Sequence, residues 1–497
     1  MSVRKAILRN SAINAVGKAF NYAVQLLLIS YLVRNIGGTA YGVFVIALAL
    51  IGNSNLLEAG FGLSVTKYTA EYKAKGDAEG LACMVNTGFL VNTCLAVVFS
   101  GLILAVAFFF VGFFFKVPAD QLPQVRTLLL MLLALSFFEF WTVGFIRVAE
   151  GLQNYKLARN LENLKWAMRL VFAAVIFRFR CDLLAAGAAY LLSGVVSFFV
   201  LLYYTYGART GIPFDLSRCS RSAFGKMLRF SVWILISKLS SLFFYRINSI
   251  LIGVFLEPVY ATYYTIGSKL YELLKYGFGI LSSTLVPVSA ELAAKADIAR
   301  LSKLFEKSAY YTVLLMAPFV AFTALRADVL IRLWMGPGFG PAVPLARLLV
   351  LSLVPTLFVA SGTEMLVGLN RMRYLVIYSV LGAAVSFTIS LLLIRHIGID
   401  AVAFGAIAGA LVTSAGYVHL MSGLFNTFSS GGDFLRASAK LVFSIIVLTV
   451  VLWFSKGLVL SCSVLLLYFI VAYRYLVDAP ERDYVSSIYK KRIGLSF

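Results

Sequence analysis

Long apolar runs, broken by short charged or Gly/Pro-containing turns, organise this chain from end to end. They do not alternate with period two, which excludes a membrane β-barrel. Most reach the ~20 residues that a helix needs to cross about 30 Å of hydrocarbon. The pattern predicts membrane-spanning helices near residues 12–34, 40–64, 81–113, 125–148, 162–179, 183–206 and 229–256. A second series falls near 260–288, 304–333, 344–367, 375–395, 401–427, 440–455 and 457–476, about fourteen in all. The last two are short and joined by Ser455-Lys456-Gly457. The expected fold class is an all-α polytopic membrane protein, and no connecting segment is long enough to form a soluble domain.

Composition agrees. Of 497 residues 61% are hydrophobic and only 13% charged, with a mean hydropathy of +0.89. A soluble domain carries about 25% charged residues, so a water-soluble enzyme is excluded. The five cysteines (Cys83, Cys94, Cys181, Cys219, Cys462) are scattered and lack C-x-x-C spacing, and His396 and His419 stand far from any of them. Neither a disulfide framework nor a metal site is expected. No G-x-x-x-x-G-K-[ST] segment occurs, so no ATPase is built in, and no catalytic constellation or cofactor is expected. Asp478, Glu481 and Asp483 in the C-terminal tail read as solvated acids.

Forty-four Lys and Arg oppose 22 Asp and Glu, a net charge of +22. In a soluble protein such an excess would suggest nucleic acid; here it reads as topology, and no nucleic-acid partner is expected. The basic start MSVRKAILRN leads into an apolar run ending near Arg34. That run is too long for a signal-peptide core and has no small-residue cleavage site, so it reads as a retained first span with its N-terminus inside. With that orientation the cytoplasmic segments hold 28 basic residues, Lys165 among them, and the opposite side with its flanks ten. The bias supports cytoplasmic N- and C-termini. Residues 477–497 are expected to form a cytoplasmic tail, either lying on the membrane surface or solvated.

Shifted against itself by about 218 residues, the chain aligns its glycine and polar landmarks in order. Tyr41 meets Tyr260, Gly60-Phe61-Gly62 meets Gly277-Phe278-Gly279, and Glu71…Lys75-x-Asp77 meets Glu291…Lys295-x-Asp297. Gly151-Leu152 meets Gly368-Leu369, and Asp182…Gly187 meets Asp400…Gly405. These are residue types rare in spans, and the offsets drift by only a few positions, which points to a duplication. The expected organisation is an N-lobe at 1–208 (spans 1–6) and a C-lobe at 209–430 (spans 7–12). A two-span appendage at 431–476 and the tail at 477–497 follow. Six spans per copy make the repeats parallel, an arrangement suited to a transporter.

A charge at the bilayer centre costs about 2.5–3.5 kcal/mol on insertion scales and usually faces a cavity or a partner. The expected spans contain Lys18, Arg169, Lys238, Arg246, Lys269 and Lys275 against Glu58, Glu139, Glu272 and Glu364. On the first span Asn14, Lys18, Asn21 and Gln25 follow steps of 4, 3 and 4 and form one polar stripe. At 1.5 Å per residue, Arg246 and Lys269 lie about 15 and 14 Å from the outer ends of their spans, near the midplane. Arg246 has no carboxylate within four residues, whereas Lys269–Glu272 and Glu272–Lys275 allow local pairs. Lys18, Lys238, Arg246 and Lys269 are read as a positively lined cavity, Arg246 being the best suited to a phosphate. Arg169 is expected to snorkel to the interface. Glu58 and Glu139 either take up a coupling proton or cation or pair with the cavity bases. Asn53-Ser54-Asn55 beside Glu58 would suit sugar hydroxyls or a hydrated ion.

The stretch Tyr31-Leu-Val-Arg-Asn-Ile-Gly-Gly-Thr-Ala-Tyr-Gly-Val-Phe, then Glu58-Ala-Gly-Phe-Gly-Leu-Ser, then Lys67-Tyr-Thr-Ala-Glu-Tyr-Lys-Ala-Lys-Gly-Asp77, resembles bacterial polysaccharide flippases. That family includes the O-antigen-unit flippases and belongs to the MATE-like MOP exporter superfamily, alongside the lipid II flippase. Glu150-Gly-Leu-Gln-Asn-Tyr is a weaker echo, and the span count and duplication extend the likeness over the chain. The resemblance implies export of a polyprenyl-diphosphate-linked oligosaccharide across the inner membrane of a prokaryote. Its diphosphate would be held in a cationic cavity, with alternating access coupled to an ion gradient or the membrane potential. Lys18, Arg246 and Lys269 occupy places where such cavities carry basic residues. The implied partners are the lipid-linked glycan, the bilayer, and a glycan polymerase or assembly proteins; the lipid tail would stay in a groove walled by spans 13 and 14. A cation-coupled multidrug exporter would want carboxylates and aromatics where this interior sums to positive. A glycan polymerase or ligase would show a large outward loop.

Overall fold

The computed structural model describes residues 3–51, 54–206, 215–232, 247–282, 285–295, 297–369, 371–425, 432–455, 457–478 and 481–482. Among them helices are the only regular secondary structure, and they cover nearly all described residues of the expected spans. Seven are long and apolar enough to cross a membrane, eight if one bent pair is counted as a single span. The chain divides into two compact units, Met1–Thr265 with Ser390–Val402, and Ile266–Ile389 with Ala403–Phe497.

The first unit contains α1 (Val3–Ile36), α2 (Gly38–Ile51), α3 (Ser54–Lys75) and α4 (Ala78–Ala105), the last extended to Phe114 through a π-helical stretch at Val106–Phe110. Then come α5 (Leu122–Gly151), α6 (Tyr155–Ile176), α7 (Leu183–Tyr206) and α8 (Ile247–Phe255). Helix α5 packs on α3, α4 and α7, and α1 lies along α6. Phe61, Val65, Val85, Phe89 and Phe145 fill the core between α3, α4 and α5. Large apolar side chains turn outward instead, such as Val98 at 72% exposure and Phe109 at 81%. In water a surface of that kind would aggregate; against lipid it is the solvated face.

From α9 (Pro258–Ser282) the chain enters the second unit, with α10 (Leu285–Ala294), α11 (Ile298–Leu325), α12 (Ala327–Met335), α13 (Ala342–Leu351), α14 (Val354–Leu357) and α15 (Ala360–Gly368). Helices α16 (Met372–Ile397) and α17 (Asp400–Phe425), apart from Ser390–Val402, complete it with α18 (Gly432–Phe454) and α19 (Leu458–Tyr475). Helix α11 is the hub: α13, α14, α15, α18 and α19 all pack on it.

Two expected spans need correction. The run expected at 304–333 ends at Leu325, where Arg326 (φ −108°, ψ 17°) leaves helical geometry and caps α11 through its N–H on the Phe322 carbonyl. Residues 327–335 form the separate helix α12, because Asp328 and Arg332 keep one of its faces polar. The run expected at 344–367 is bent by 52°. The break falls at Phe358-Val359, between Leu357 at the end of α14 and Ala360 at the start of α15, where the Val359 N–H closes a tighter turn on the Thr356 carbonyl at 3.2 Å.

Joints that the sequence repeat aligns are built with the same bonds. Lys75 pairs with Glu71 and Lys295 with Glu291, each at 2.6 Å four residues apart. The lysine hydrogen bond holds both carboxyls below their ordinary range. Asp77 and Asp297 then start the next helices, accepting from the N–H of Gly80 and Arg300 at 2.8 and 3.0 Å. Their own N–H groups close back on the Tyr72 and Leu292 carbonyls, both at 3.1 Å. Leu152 and Leu369 end their helices with φ/ψ of −74°/1° and −78°/1°.

Gly151 and Gly368 make equivalent close approaches. A Cβ on Gly151 would stand 2.8 Å from the Thr66 carbonyl oxygen, and one on Gly368 2.5 Å from that of Val286. Both oxygens are main-chain atoms that cannot swing aside. Gly151→Ala and Gly368→Ala are therefore expected to destabilise the protein by about 1–3 kcal/mol. Gly101→Ala, which meets nothing within 4 Å, should be neutral or stabilising by up to about 1 kcal/mol. Equal unfolding midpoints for all three variants in detergent would show that these contacts do not constrain the helix pairs.

Candidate functional site

Among the described residues of the first unit, a buried charged cluster lies where α5, α6 and α7 meet. Glu139 of α5 accepts from Lys165 and Arg169 of α6, both at 2.6 Å, and all three are at least nine-tenths buried. Lys165 and Arg169 are one helical turn apart, so both reach the same carboxylate, one on each oxygen. The Arg169 guanidinium sits 4.5 Å from the ring centres of Trp166 and Tyr190, between two aromatic faces. Tyr190 of α7 in turn packs edge-on against Phe44 of α2. One carboxylate and two cations leave a net charge of +1 in this buried cluster.

Two expectations are overturned here. Arg169 does not snorkel to the interface: it is buried, because Glu139 on a neighbouring helix supplies its counter-charge. Lys165 is not a cytoplasmic flanking residue but the second cation of the same cluster. Its chain neighbourhood conceals this, since Arg159 and Glu162 pair with each other at a polar helix start.

The polar stripe of α1 has mixed surroundings. Lys18 is exposed, Asn21 is buried, and Gln25 donates to the Asn21 side-chain oxygen at 2.5 Å. Asn14 and Glu58 lie on α1 and α3, but their side chains fall outside the described positions. Lys238 and Arg246 lie outside the described residues altogether. In the second unit Lys269 is paired with Glu272 at 2.6 Å, as the three-residue spacing allowed, and the Lys275 ammonium stands 6.0 Å from the Tyr271 ring centre.

The tail acids are not simply solvated. Lys307 pairs with Glu481 and stands 3.6 Å from Asp478, while the Tyr310 hydroxyl donates to the Leu476 carbonyl at 2.9 Å.

The family of polysaccharide biosynthesis proteins matches residues 7–293, more than half of the chain. This chain belongs to that family. A Shigella flexneri relative whose name assigns it to O-antigen transport is 19% identical over 338 residues, covering 67% of this chain and 78% of that protein. The polysaccharide biosynthesis protein also shares its fold with an inward-facing MATE multidrug-resistance transporter of the MOP superfamily. Their TM-score is 0.72 at 18% identity, with 83% of this chain and 96% of the transporter covered. A Pyrococcus furiosus MOP transporter, described as having a binding pocket of reversed polarity, matches with a TM-score of 0.61 at 19% identity. That match covers 84% of this chain and 95% of the other. The multi-pass helical membrane fold read from the sequence is thus established.

Removing one partner of a buried ion pair costs about 3–5 kcal/mol, because the remaining charge is stranded. Glu139→Gln strands two, so it should lower stability by at least that amount. The combined replacement Glu139→Leu, Lys165→Met, Arg169→Met should restore stability, since apolar residues of similar volume remove the desolvation cost as well. Unfolding of the purified variants in detergent checks both, and a Glu139→Gln protein as stable as wild type would show that the cluster is hydrated rather than buried.

Proposed function

We propose that this chain is a flippase, not an enzyme, that carries a polyprenyl-diphosphate-linked oligosaccharide from the cytoplasmic to the outer leaflet of a prokaryotic inner membrane. The observation that carries the reading is its membership of the polysaccharide biosynthesis family on a MATE-like helical fold. The Shigella flexneri relative named for O-antigen transport supports the lipid-linked glycan as substrate. A diphosphate crossing hydrocarbon needs compensating positive charge, and the interior cations exceed the acids in both sequence and charge cluster.

In this reading Lys18, Lys238, Arg246 and Lys269 hold the diphosphate, while Asn14, Asn21 and Gln25 supply neutral partners for sugar hydroxyls. Lys269 would exchange Glu272 for the incoming phosphate. Glu58 and Glu139 are the coupling acids; Glu139 already carries two cations, so a proton or ion acting there must compete with Lys165 and Arg169. The working units are an N-lobe at 1–208, a C-lobe at 209–430, an appendage at 431–476 and a tail at 477–497, with both termini cytoplasmic. They operate by alternating access driven by an ion gradient or the membrane potential, and hand the glycan to a polymerase or assembly protein.

The test is reconstitution into liposomes with a polyprenyl-diphosphate oligosaccharide, following how fast the glycan becomes accessible in the opposite leaflet. Arg246→Ala and Lys269→Ala should slow transfer about tenfold or more at normal protein levels, the loss expected for one charge-assisted hydrogen bond. Glu58→Gln should flatten the pH or sodium dependence. No transfer by the wild type, alongside export of a cationic dye, would replace this reading with a cation-coupled multidrug exporter.

A further inference from the structure

Within the second unit, α11, the helices α13 and α14, and α18 enclose a groove of about 690 Å³. Ala317, Ala321 and Ala324 follow steps of four and three residues along α11, so the face it turns to the groove is shallow. Val320, Leu357 and Ile446 complete an apolar wall, in which the hydroxyl of Thr449 is already spent on the Ile445 carbonyl at 2.7 Å. From Val313 to Arg326 the groove follows about 20 Å of helix, about two-thirds of a ~30 Å hydrocarbon core and close to one leaflet with its headgroup layer. It is a slot about one leaflet deep.

All of its charge is at one end. Arg326, Asp328 and Arg347 line the mouth, with Trp453 beside them, giving a net +1 where α11 leaves the hydrocarbon. The Arg326 guanidinium is fixed: it donates to Ser461 Oγ at 2.7 Å, to Ser455 Oγ at 3.1 Å, and to the Leu452 and Ser455 carbonyls. Arg347 is half exposed, with its Nε on the Ala324 carbonyl at 3.2 Å and one Nη on Asp328 at 3.5 Å. A long, weak contact to a solvated aspartate is easily exchanged for a phosphate, which a guanidinium fork binds more tightly.

We infer that this groove binds one anionic phospholipid of the bilayer, its acyl chain laid along α11 between α13–α14 and α18 and its phosphate on Arg347, with Arg326 adding positive field. An apolar slot of leaflet depth with a cationic, tryptophan-rimmed end matches such a lipid in length, polarity and charge. The site is independent of which substrate the protein transports. Its walls are spans 9, 10 and 13, whereas the groove that the resemblance implies for the substrate's lipid tail has spans 13 and 14.

The test uses the full chain in phosphatidylcholine vesicles containing a minor fraction of chain-brominated phosphatidylglycerol. Quenching of Trp453 is isolated by subtracting the Trp453→Phe protein. Brominated phosphatidylglycerol should act about fivefold more strongly than brominated phosphatidylcholine at the same fraction, the preference expected from one interfacial arginine. Arg347→Gln should abolish that preference while leaving quenching by phosphatidylcholine unchanged, and Ala321→Phe, which fills the slot, should weaken quenching by both lipids. Equal quenching in the wild type, or an undiminished preference in Arg347→Gln, would overturn the inference. Displacement of phosphatidylglycerol by equimolar polyprenyl diphosphate would assign the groove to the carrier lipid instead and overturn it as well.

Discussion

A charge that enters hydrocarbon on a helix must find its counter-charge within the protein, because no water is available to solvate it. Much of this molecule's internal order follows from that constraint. Glu139, Lys165 and Arg169 bind α5 to α6, and the aromatic faces around Arg169 extend the tie to α7 and, through Tyr190, to α2. Arg326 solves the same problem differently. Its guanidinium is spread over two main-chain carbonyls and two serine hydroxyls where α18 and α19 meet, which fastens the appended pair to the end of α11. Neither arrangement is cheap, since buried ion pairs rarely repay their desolvation.

The turns that join helices at the membrane surface follow a second rule. There the main-chain groups left over at each helix end must be satisfied, and water is close enough to help. The Glu71–Lys75 turn capped by Asp77 and its counterpart ending at Asp297 meet the rule with the same bonds at nearly the same lengths. Gly151 and Gly368 keep the partner helices close enough for those turns to sit where they do. The likeness between the two stretches thus lies in the joints, where the backbone dictates residue type.

The same distinction explains what could be read from the chain alone. Spans announce themselves because continuity of apolar residues is a local property, and the joints because Gly, Asp and Glu-x-x-x-Lys are rare among them. Lys269–Glu272 was legible for the same reason, its partners being three residues apart. Glu139 and Lys165 are 26 residues apart on different helices, and no periodicity encodes their meeting. Lys165 sits among Arg159 and Glu162, so its neighbourhood reads as a polar margin. Arg326 interrupts one apolar run and is held by serines more than 100 residues later, so the end of α11 was invisible until α18 and α19 were in place.

The charged cluster has no counterpart in the second copy. At offsets of 217 or 218 residues, Glu139 corresponds to Thr356 or Leu357, Lys165 to Gly382 or Ala383, and Arg169 to Ser386 or Phe387, none of them charged. The joints around these positions are conserved between the copies, so the architecture itself does not require the charges. Uncharged residues are commonly as stable in an interior as a buried ion pair or more so, and the second copy does without charge at these positions. Stability of the scaffold therefore does not account for three charges retained in the first copy. What distinguishes them is their charge, which apolar residues cannot supply. The buried charges set the first stretch apart from the second, as the coupling role proposed for Glu139 requires.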